Sequence, residues 1–304
     1  RYPSHAVNDR AHTSQHERPR PRATLKTIAK MAADGEPFAC LTAYDYTTAR
    51  WLDRAGVPLL LVGDSAANVI LGEPSTVHAT VDLLVTLTAA VRRGAPGAVV
   101  MGDMPFLSYH GSIDHALHNA GRFMTDGRAD IVKIEADASF AETVRAMTRA
   151  GIPVCAHVGT RPQTWALTAG PRISGRTEAE ADAIVRDAVE LERAGAAMLL
   201  IEAVPHEVTA RVLEATAAPL IGIAAGDACH GQILVVQDLL GMSEQPPGFL
   251  EPLADLGPRT QAAAEEWIRR VTRRETGTKR YTMKDQAAQA QSAKDHTTAA
   301  RSRS

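Results

Sequence analysis

The stretch Leu59-Leu60-Leu61-Val62-Gly63-Asp64-Ser65 constrains this chain most. Four apolar residues run without alternation and stop at Gly-Asp-Ser. So short an apolar run fits a strand covered on both faces, and therefore a parallel sheet under helices. The polar residues fall at its carboxyl end, where α/β folds place ligand chemistry.

The pattern recurs along the chain. Strands are expected at 38–43, 59–63, 98–102, 130–134, 152–156, 197–201, 219–224 and 232–236. Helices are expected at 24–33, 47–55, 81–93, 113–126, 138–150, 178–194, 206–216 and 259–273. Gly56, Gly94, Gly127, Gly151 and Gly195 stand where helices should stop. Residues 66–79 and 159–177 read as long loops, which in compact domains usually carry function.

Strand–helix alternation implies a parallel sheet. Eight such units imply a closed (β/α)8 TIM barrel, which takes roughly 250 residues. A chain of 304 residues then holds one barrel domain at 24–274. Polar arms at 1–23 and 275–304 are expected to be disordered. An open doubly wound sheet is the alternative. It would spread the strand tips along a line, whereas a ring turns them towards one point.

Composition narrows the function. With 33 basic and 35 acidic residues there is no cationic surplus to neutralise nucleic-acid phosphates. Cys40, Cys155 and Cys229 are odd in number and widely spaced, which argues against a disulfide framework or a zinc site. They read instead as small apolar residues in or near strands. No run approaches the ~18–20 apolar residues of a membrane span. No signal-peptide core is present, and a cytoplasmic protein is expected. The Gly-rich stretch 222–226 is not a dinucleotide fingerprint, and GxSxG and P-loop motifs are missing.

The chemistry-bearing residues are those at the strand tips: Asp64 and Ser65, Asp103, Lys133 and Glu135, His157, and Glu202. Taken singly, Asp64 could cap a helix, Asp103 could serve a turn, and His157 could be a satisfied core histidine. One placement rule nevertheless explains them all. Lys133 and Glu135 are two apart in a strand, so they share a face. Four carboxylates at one barrel mouth would repel one another and perturb each other's ionisation. A hard divalent cation removes that cost, and carboxylates with water suit Mg²⁺.

The same residues lie in motifs that resemble the ketopantoate hydroxymethyltransferase (3-methyl-2-oxobutanoate hydroxymethyltransferase) family. The matching stretches are Thr42-Ala43-Tyr44-Asp45-Tyr46, Val62-Gly63-Asp64-Ser65, Ala90-Val91-Arg92-Arg93-Gly94-Ala95-Pro96 and Asp103-Met104-Pro105-Phe106. They continue with Val132-Lys133-Ile134-Glu135, Pro153-Val154-Cys155-Ala156-His157-Val158-Gly159, Ile201-Glu202-Ala203-Val204-Pro205 and Gly231-Gln232-Ile233-Leu234-Val235.

The resemblance implies a barrel of the phosphoenolpyruvate/pyruvate superfamily. It implies Mg²⁺-dependent transfer of a one-carbon unit from 5,10-methylenetetrahydrofolate to 3-methyl-2-oxobutanoate, giving 2-dehydropantoate for pantothenate synthesis. By the same resemblance Asp64, Asp103 and Glu135 form the metal set. Asp64, Ser65, Asp103 and Lys133 contact the oxo acid, and Glu202 is the proton acceptor; His157, from its place at the β5 tip, is a candidate additional site residue. The family also implies a homo-oligomer, commonly a decamer.

The chain departs from the family pattern in loops 66–75 and 170–176. It departs again at Ala224 within the usual Gly-Ile-Gly-Ala-Gly, and at the missing Phe-Pro…Glu-His segment near the C-terminus. These departures leave open a paralogue acting on another 2-oxo acid. A Mg²⁺-dependent lyase or mutase of the superfamily is a further alternative, although its Lys-Lys-Cys-Gly-type loop is missing here.

Overall fold

A computed structural model describes residues 21–168 and 170–278. Eight parallel strands close into a barrel in the order β1 to β8. They are β1 (Phe38–Thr42), β2 (Leu59–Val62), β3 (Val99–Asp103), β4 (Ile131–Glu135), β5 (Val154–Gly159), β6 (Met198–Glu202), β7 (Leu220–Ile223) and β8 (Gly231–Leu234). The barrel closes where Phe38–Leu41 pair with Gly231–Leu234. The expected (β/α)8 architecture is therefore the observed one.

The main helices are α1 (Leu25–Ala33), α2 (Tyr46–Ala55), α4 (Val81–Gly94), α5 (Ile113–Thr125), α6 (Ala141–Arg149), α8 (Glu178–Arg193) and α9 (His206–Ala215). Short helices lie between them: α3 (Ala66–Val69), α7 (Trp165–Thr168) and α10 (Val236–Leu239). Side-chain caps start most of the longer helices. Asp45 accepts from Thr48 N–H, Thr80 from Leu83 N–H and Ser112 from His115 N–H. Gly56, at φ 89°, ends α2 in the left-handed region.

Inward and outward positions alternate strictly along the strands. Phe38, Cys40, Leu59, Leu61, Val99, Met101, Ile131, Cys155, Met198, Leu200, Ile221 and Ile233 form one buried cluster, the barrel interior. Ile28 of α1 is fully buried in that cluster. The alternate positions, such as Leu60, Val62, Val100, Val132, Ile134 and Leu199, join a second cluster with the surrounding helices. Counting by twos from Val99, Ile131, Cys155 and Met198 reaches Asp103, Lys133 and Glu135, His157, and Glu202. The chemistry thus continues the inward rows at their carboxyl ends. The three cysteines are buried and free, as small core residues should be.

Several boundaries differ from the sequence reading. Loop 66–79 contains α3 and a 3-10 turn at Thr76–His78, and loop 159–177 contains a 3-10 turn at Pro162–Thr164 followed by α7. These elements are shorter than a hydrophobic period can reveal. β8 stops at Leu234, and α10 occupies the end of the expected strand. The N-terminal arm is pinned at its last residues: Ala23 N–H donates to Gly97 O at 2.7 Å, and Arg22 pairs with Asp130. The rest of that arm (1–20) and residues 279–304 of the C-terminal one lie outside the described residues.

The compact unit holding the barrel runs to Ala254, and a second begins at Asp255. The polar and proline-rich stretch Ser243–Pro252 precedes the boundary and offers no apolar period for packing. The second unit carries α11 (Leu256–Thr272), whose Glu266 pairs with Arg269 and Arg270. Among the described residues no helix is long and apolar enough to cross a membrane.

Candidate active site

The carboxyl-end mouth gathers the tip residues into one polar network. Lys133 of β4 donates to Asp103 Oδ1 of β3 at 2.7 Å, and both side chains are buried. Asp103 Oδ2 accepts from the backbone N–H of Asp64, just beyond β2, at 3.0 Å. Ser65 Oγ lies 2.8 Å from the hydroxyl of Tyr44, a buried residue beyond β1. Gly63 makes this turn feasible, because a Cβ there would fall 2.8 Å from Ser65 Oγ.

Glu135 and Asp64 meet through a residue that the sequence reading missed. Gln163, on the Pro162–Thr164 turn, donates its backbone N–H to Glu135 Oε2 at 3.0 Å. Its side-chain amide donates to Asp64 Oδ2 at 2.9 Å. Tyr109, from the loop after β3, packs behind the pair and contacts both Gln163 and the backbone of Glu135. Tyr44, Tyr109 and Gln163 are all buried. A clue to Gln163 was the length of loop 159–177, but nothing in its composition singles out one glutamine.

Electrostatics follow from crowding like charges out of water. Burial and the Asp103 charge push the Asp64 carboxyl up to about 7, against the opposing pull of Lys133 and Gln163. Burial likewise holds Glu135 well above the usual carboxylate range, with Lys133 opposing and Asp64 and Asp103 adding to it. Burial works against the Lys133 ammonium, but Asp103, Asp64 and Glu135 outweigh it and keep the side chain charged.

Glu202 closes β6 beside His157 of β5, with Oε2 3.4 Å from Nε2. The contact lacks hydrogen-bond alignment, and neither ring nitrogen of His157 has a hydrogen-bond partner. Burial, followed by the charges of Lys133 and Arg161, holds the imidazole far below its usual range, so the ring is neutral. Burial, augmented by Asp64 and Asp103 and opposed by Lys133, raises the Glu202 carboxyl to about 7. That value suits a group that must take up and release a proton near neutrality.

The three expected metal ligands do not form a preformed cage. Among the described residues no group of three or more His, Cys, Asp or Glu side chains stands ready to hold an ion. Lys133 engages one oxygen of Asp103, and Gln163 engages one each of Asp64 and Glu135. The donor chemistry still fits Mg²⁺, which takes one or two protein carboxylates and keeps several waters. Glu135 Oε1 is buried with no hydrogen-bond partner, and a cation or its bound water would satisfy that oxygen.

With this geometry in hand, the comparisons identify the lineage. The family model described as ketopantoate hydroxymethyltransferase matches residues 22–278. The chain belongs to that family. It is 44% identical over 248 residues to the 3-methyl-2-oxobutanoate hydroxymethyltransferase of Hyperthermus butylicus, covering 82% of this chain and 86% of the relative. It is also 44% identical to the protein of that name from Moorella thermoacetica, over 82% of this chain and 93% of the relative.

Solved structures share the fold at much lower identity. A phosphonopyruvate hydrolase in complex with oxalate and Mg²⁺ superposes with a TM-score of 0.56 at 14% identity, over 91% of this chain and 97% of that one. The phosphoenolpyruvate phosphomutase from Streptomyces platensis subsp. rosaceus gives 0.56 at 15%, over 92% and 99%. These likenesses show the barrel architecture, while the family assignment rests on the closer relatives. The family is one of enzymes that transfer a one-carbon unit.

Proposed function

We propose that this enzyme transfers a hydroxymethyl group from 5,10-methylenetetrahydrofolate to 3-methyl-2-oxobutanoate, giving 2-dehydropantoate. The observation that carries this reading is the pairing of two unlike centres at one mouth. Glu202 of β6 is poised near neutrality, and the Lys133–Asp103 pair projects from the inward rows of β4 and β3. The first suits proton abstraction from carbon, and the second suits an anionic oxo acid.

Mg²⁺, held by Asp64, Asp103 and Glu135 with water completing the shell, would supply Lewis-acid polarisation of the 2-oxo group. Lys133 meets negative charge developing on the substrate oxygens. Asp64 and Ser65 orient the oxo acid from the β2 tip, with Ser65 fixed by Tyr44. Water takes the methylene carbon from both N5 and N10 as formaldehyde, the two nitrogens keeping the protons as tetrahydrofolate leaves. Glu202 removes the C3 proton, C3 bonds to the formaldehyde carbon as its C=O π bond breaks, and the new alkoxide takes a proton to become the hydroxymethyl group. Neutral His157 flanks Glu202 without competing for its charge.

Self-assembly into a homo-oligomer and a cytoplasmic location belong to the same reading. In α11 an i, i+3, i+4, i+7 row of Ala264, Trp267, Ile268 and Val271 supports contact between copies. Light scattering on the full chain measures the assembly directly.

The deciding assay offers Mg²⁺, methylenetetrahydrofolate and a panel of branched and straight 2-oxo acids. Turnover is expected to be highest with 3-methyl-2-oxobutanoate. A different preferred acid would make the chain a paralogue, consistent with the divergent loops 66–75 and 170–176. No turnover with any acid would defeat the transferase reading, and folate-independent cleavage would favour a lyase.

A further inference from the structure

We infer that Gln163 is a positioning residue that sets the spacing of Asp64 and Glu135 for one divalent cation, braced by Tyr109. The inference rests on the Mg²⁺ reading above and goes beyond it, because Gln163 acts through the two carboxylates and would not itself ligate the ion.

The backbone N–H and both polar atoms of the Gln163 side chain are used. The backbone N–H goes to Glu135 Oε2, and Nε2 donates to Asp64 Oδ2 at 2.9 Å and to Met104 O at 3.1 Å. Oε1 accepts from the Tyr109 hydroxyl at 2.9 Å. That hydroxyl has one hydrogen, and Gln163 is the nearer of its two acceptors, since Glu135 O lies at 3.1 Å. The hydroxyl in turn accepts from Glu135 N–H at 3.1 Å. The amide cannot be reversed, because Oε1 would then face a carboxylate and a carbonyl at once.

One residue from the loop after β5, through its amide and its backbone N–H, therefore ties together the tips of β2, β3 and β4. It does so with economy of donors. Each carboxylate is held by a single oxygen, and Glu135 Oε1 is left unpartnered in a buried position. Such outer partners orient ligands and tune affinity in metal sites generally. The side chain is buried, so this pattern is not a surface accident.

The test is calorimetric titration of the full chain with Mg²⁺, and separately with Mn²⁺, in the wild type, Gln163→Met and Tyr109→Phe. Gln163→Met keeps the volume and the backbone donor to Glu135 but removes the amide. It is expected to weaken cation binding about 10- to 100-fold, with Tyr109→Phe weaker by roughly several-fold. In steady-state assays the Mg²⁺ concentration for half-activation should rise in parallel, while kcat at saturating Mg²⁺ recovers. Thr164→Val, which removes a hydroxyl bonded to Arg161 O in the same turn, should leave cation binding unchanged.

Wild-type binding matched within twofold by Gln163→Met would overturn the inference, as would a loss of kcat that Mg²⁺ cannot restore. No cation binding by the wild type would instead defeat the Mg²⁺ reading itself. If Gln163→Met fails to fold, unchanged binding by a folded Tyr109→Phe overturns the inference on its own.

Discussion

Lys133 and Asp103 face each other across adjacent strands, with Nζ 2.7 Å from Oδ1 and with 6% and 1% of their side chains exposed. Their register makes the contact compulsory, because Asp103 and Lys133 are direct partners in the β3–β4 pairing. Removing one member of a buried pair strands the other charge. Lys133→Met is therefore expected to destabilise the fold by about 3–5 kcal/mol. It should also lower kcat/KM for the oxo acid, roughly 10²- to 10³-fold. Urea unfolding and steady-state kinetics on the same preparation check both, and a stable, active Lys133→Met would remove Lys133 from the site.

Glu202 predicts opposite pH trends for rate and stability. Its folded pKa of about 7 lies above the ordinary value of 4.5. As a base it must be ionised, so the rate should rise with pH through about 7. The native state binds this proton more tightly than the unfolded chain does. Stability from this group is therefore full below the ordinary value and lost as pH rises through about 7. Glu202→Gln should abolish most turnover and remove this group's share of the stability slope. A pH–rate profile beside thermal melts from pH 5 to 9 measures both; a rate flat across pH 6–8 contradicts the base role.

The fold and the tip residues were legible in the sequence for a common reason. Parallel strands buried on both faces leave uninterrupted apolar runs, and the first polar residue after each run marks the mouth. Asp103, Lys133, Glu135, His157 and Glu202 all follow from that rule plus the period of two. Tyr44, Tyr109 and Gln163 do not. They lie just after strands or in aperiodic loops, and their importance comes from hydrogen bonds that cross between strand tips. Gln163 and Asp64 are 99 positions apart, and no spacing rule connects a glutamine amide to a carboxylate at that distance.

Gly159 is expected to tolerate no side chain. It ends β5 at φ 89°, and a Cβ there would sit 2.6 Å from Glu202 O and 2.9 Å from a methyl of Val204. The neighbouring Thr160 N–H donates to that same Glu202 carbonyl at 2.9 Å, so the two backbones cannot separate freely. Gly159→Ala should cost about 1–3 kcal/mol from backbone strain alone. By displacing Glu202 it should also reduce kcat, on the order of 10²-fold for a shift near 1 Å. The measurement is kcat at saturating oxo acid, together with the melting temperature. Wild-type values for both would show that the β5–β6 contact has slack the geometry does not suggest.

Ala224 offers a change in the stabilising direction. It follows β7 at φ 50°, a left-handed conformation that an L-side chain adopts at a cost of about 1–2 kcal/mol. The family motif resembled by 222–226 carries glycine at this position, where no Cβ resists the turn. Ile223, immediately before it, is anchored because its carbonyl accepts from Ala203 N–H at 3.0 Å, so the backbone cannot relax into a commoner region without breaking a rim contact. Ala224→Gly removes the strain, while the added freedom of the unfolded chain returns roughly 0.4–1 kcal/mol of it. The net expectation is a gain of up to about 1.5 kcal/mol, read as a raised urea midpoint with an unchanged slope. Because no tip residue moves, kcat should stay within twofold of wild type; a lowered midpoint would mean that the Ala224 methyl contributes packing that outweighs the strain.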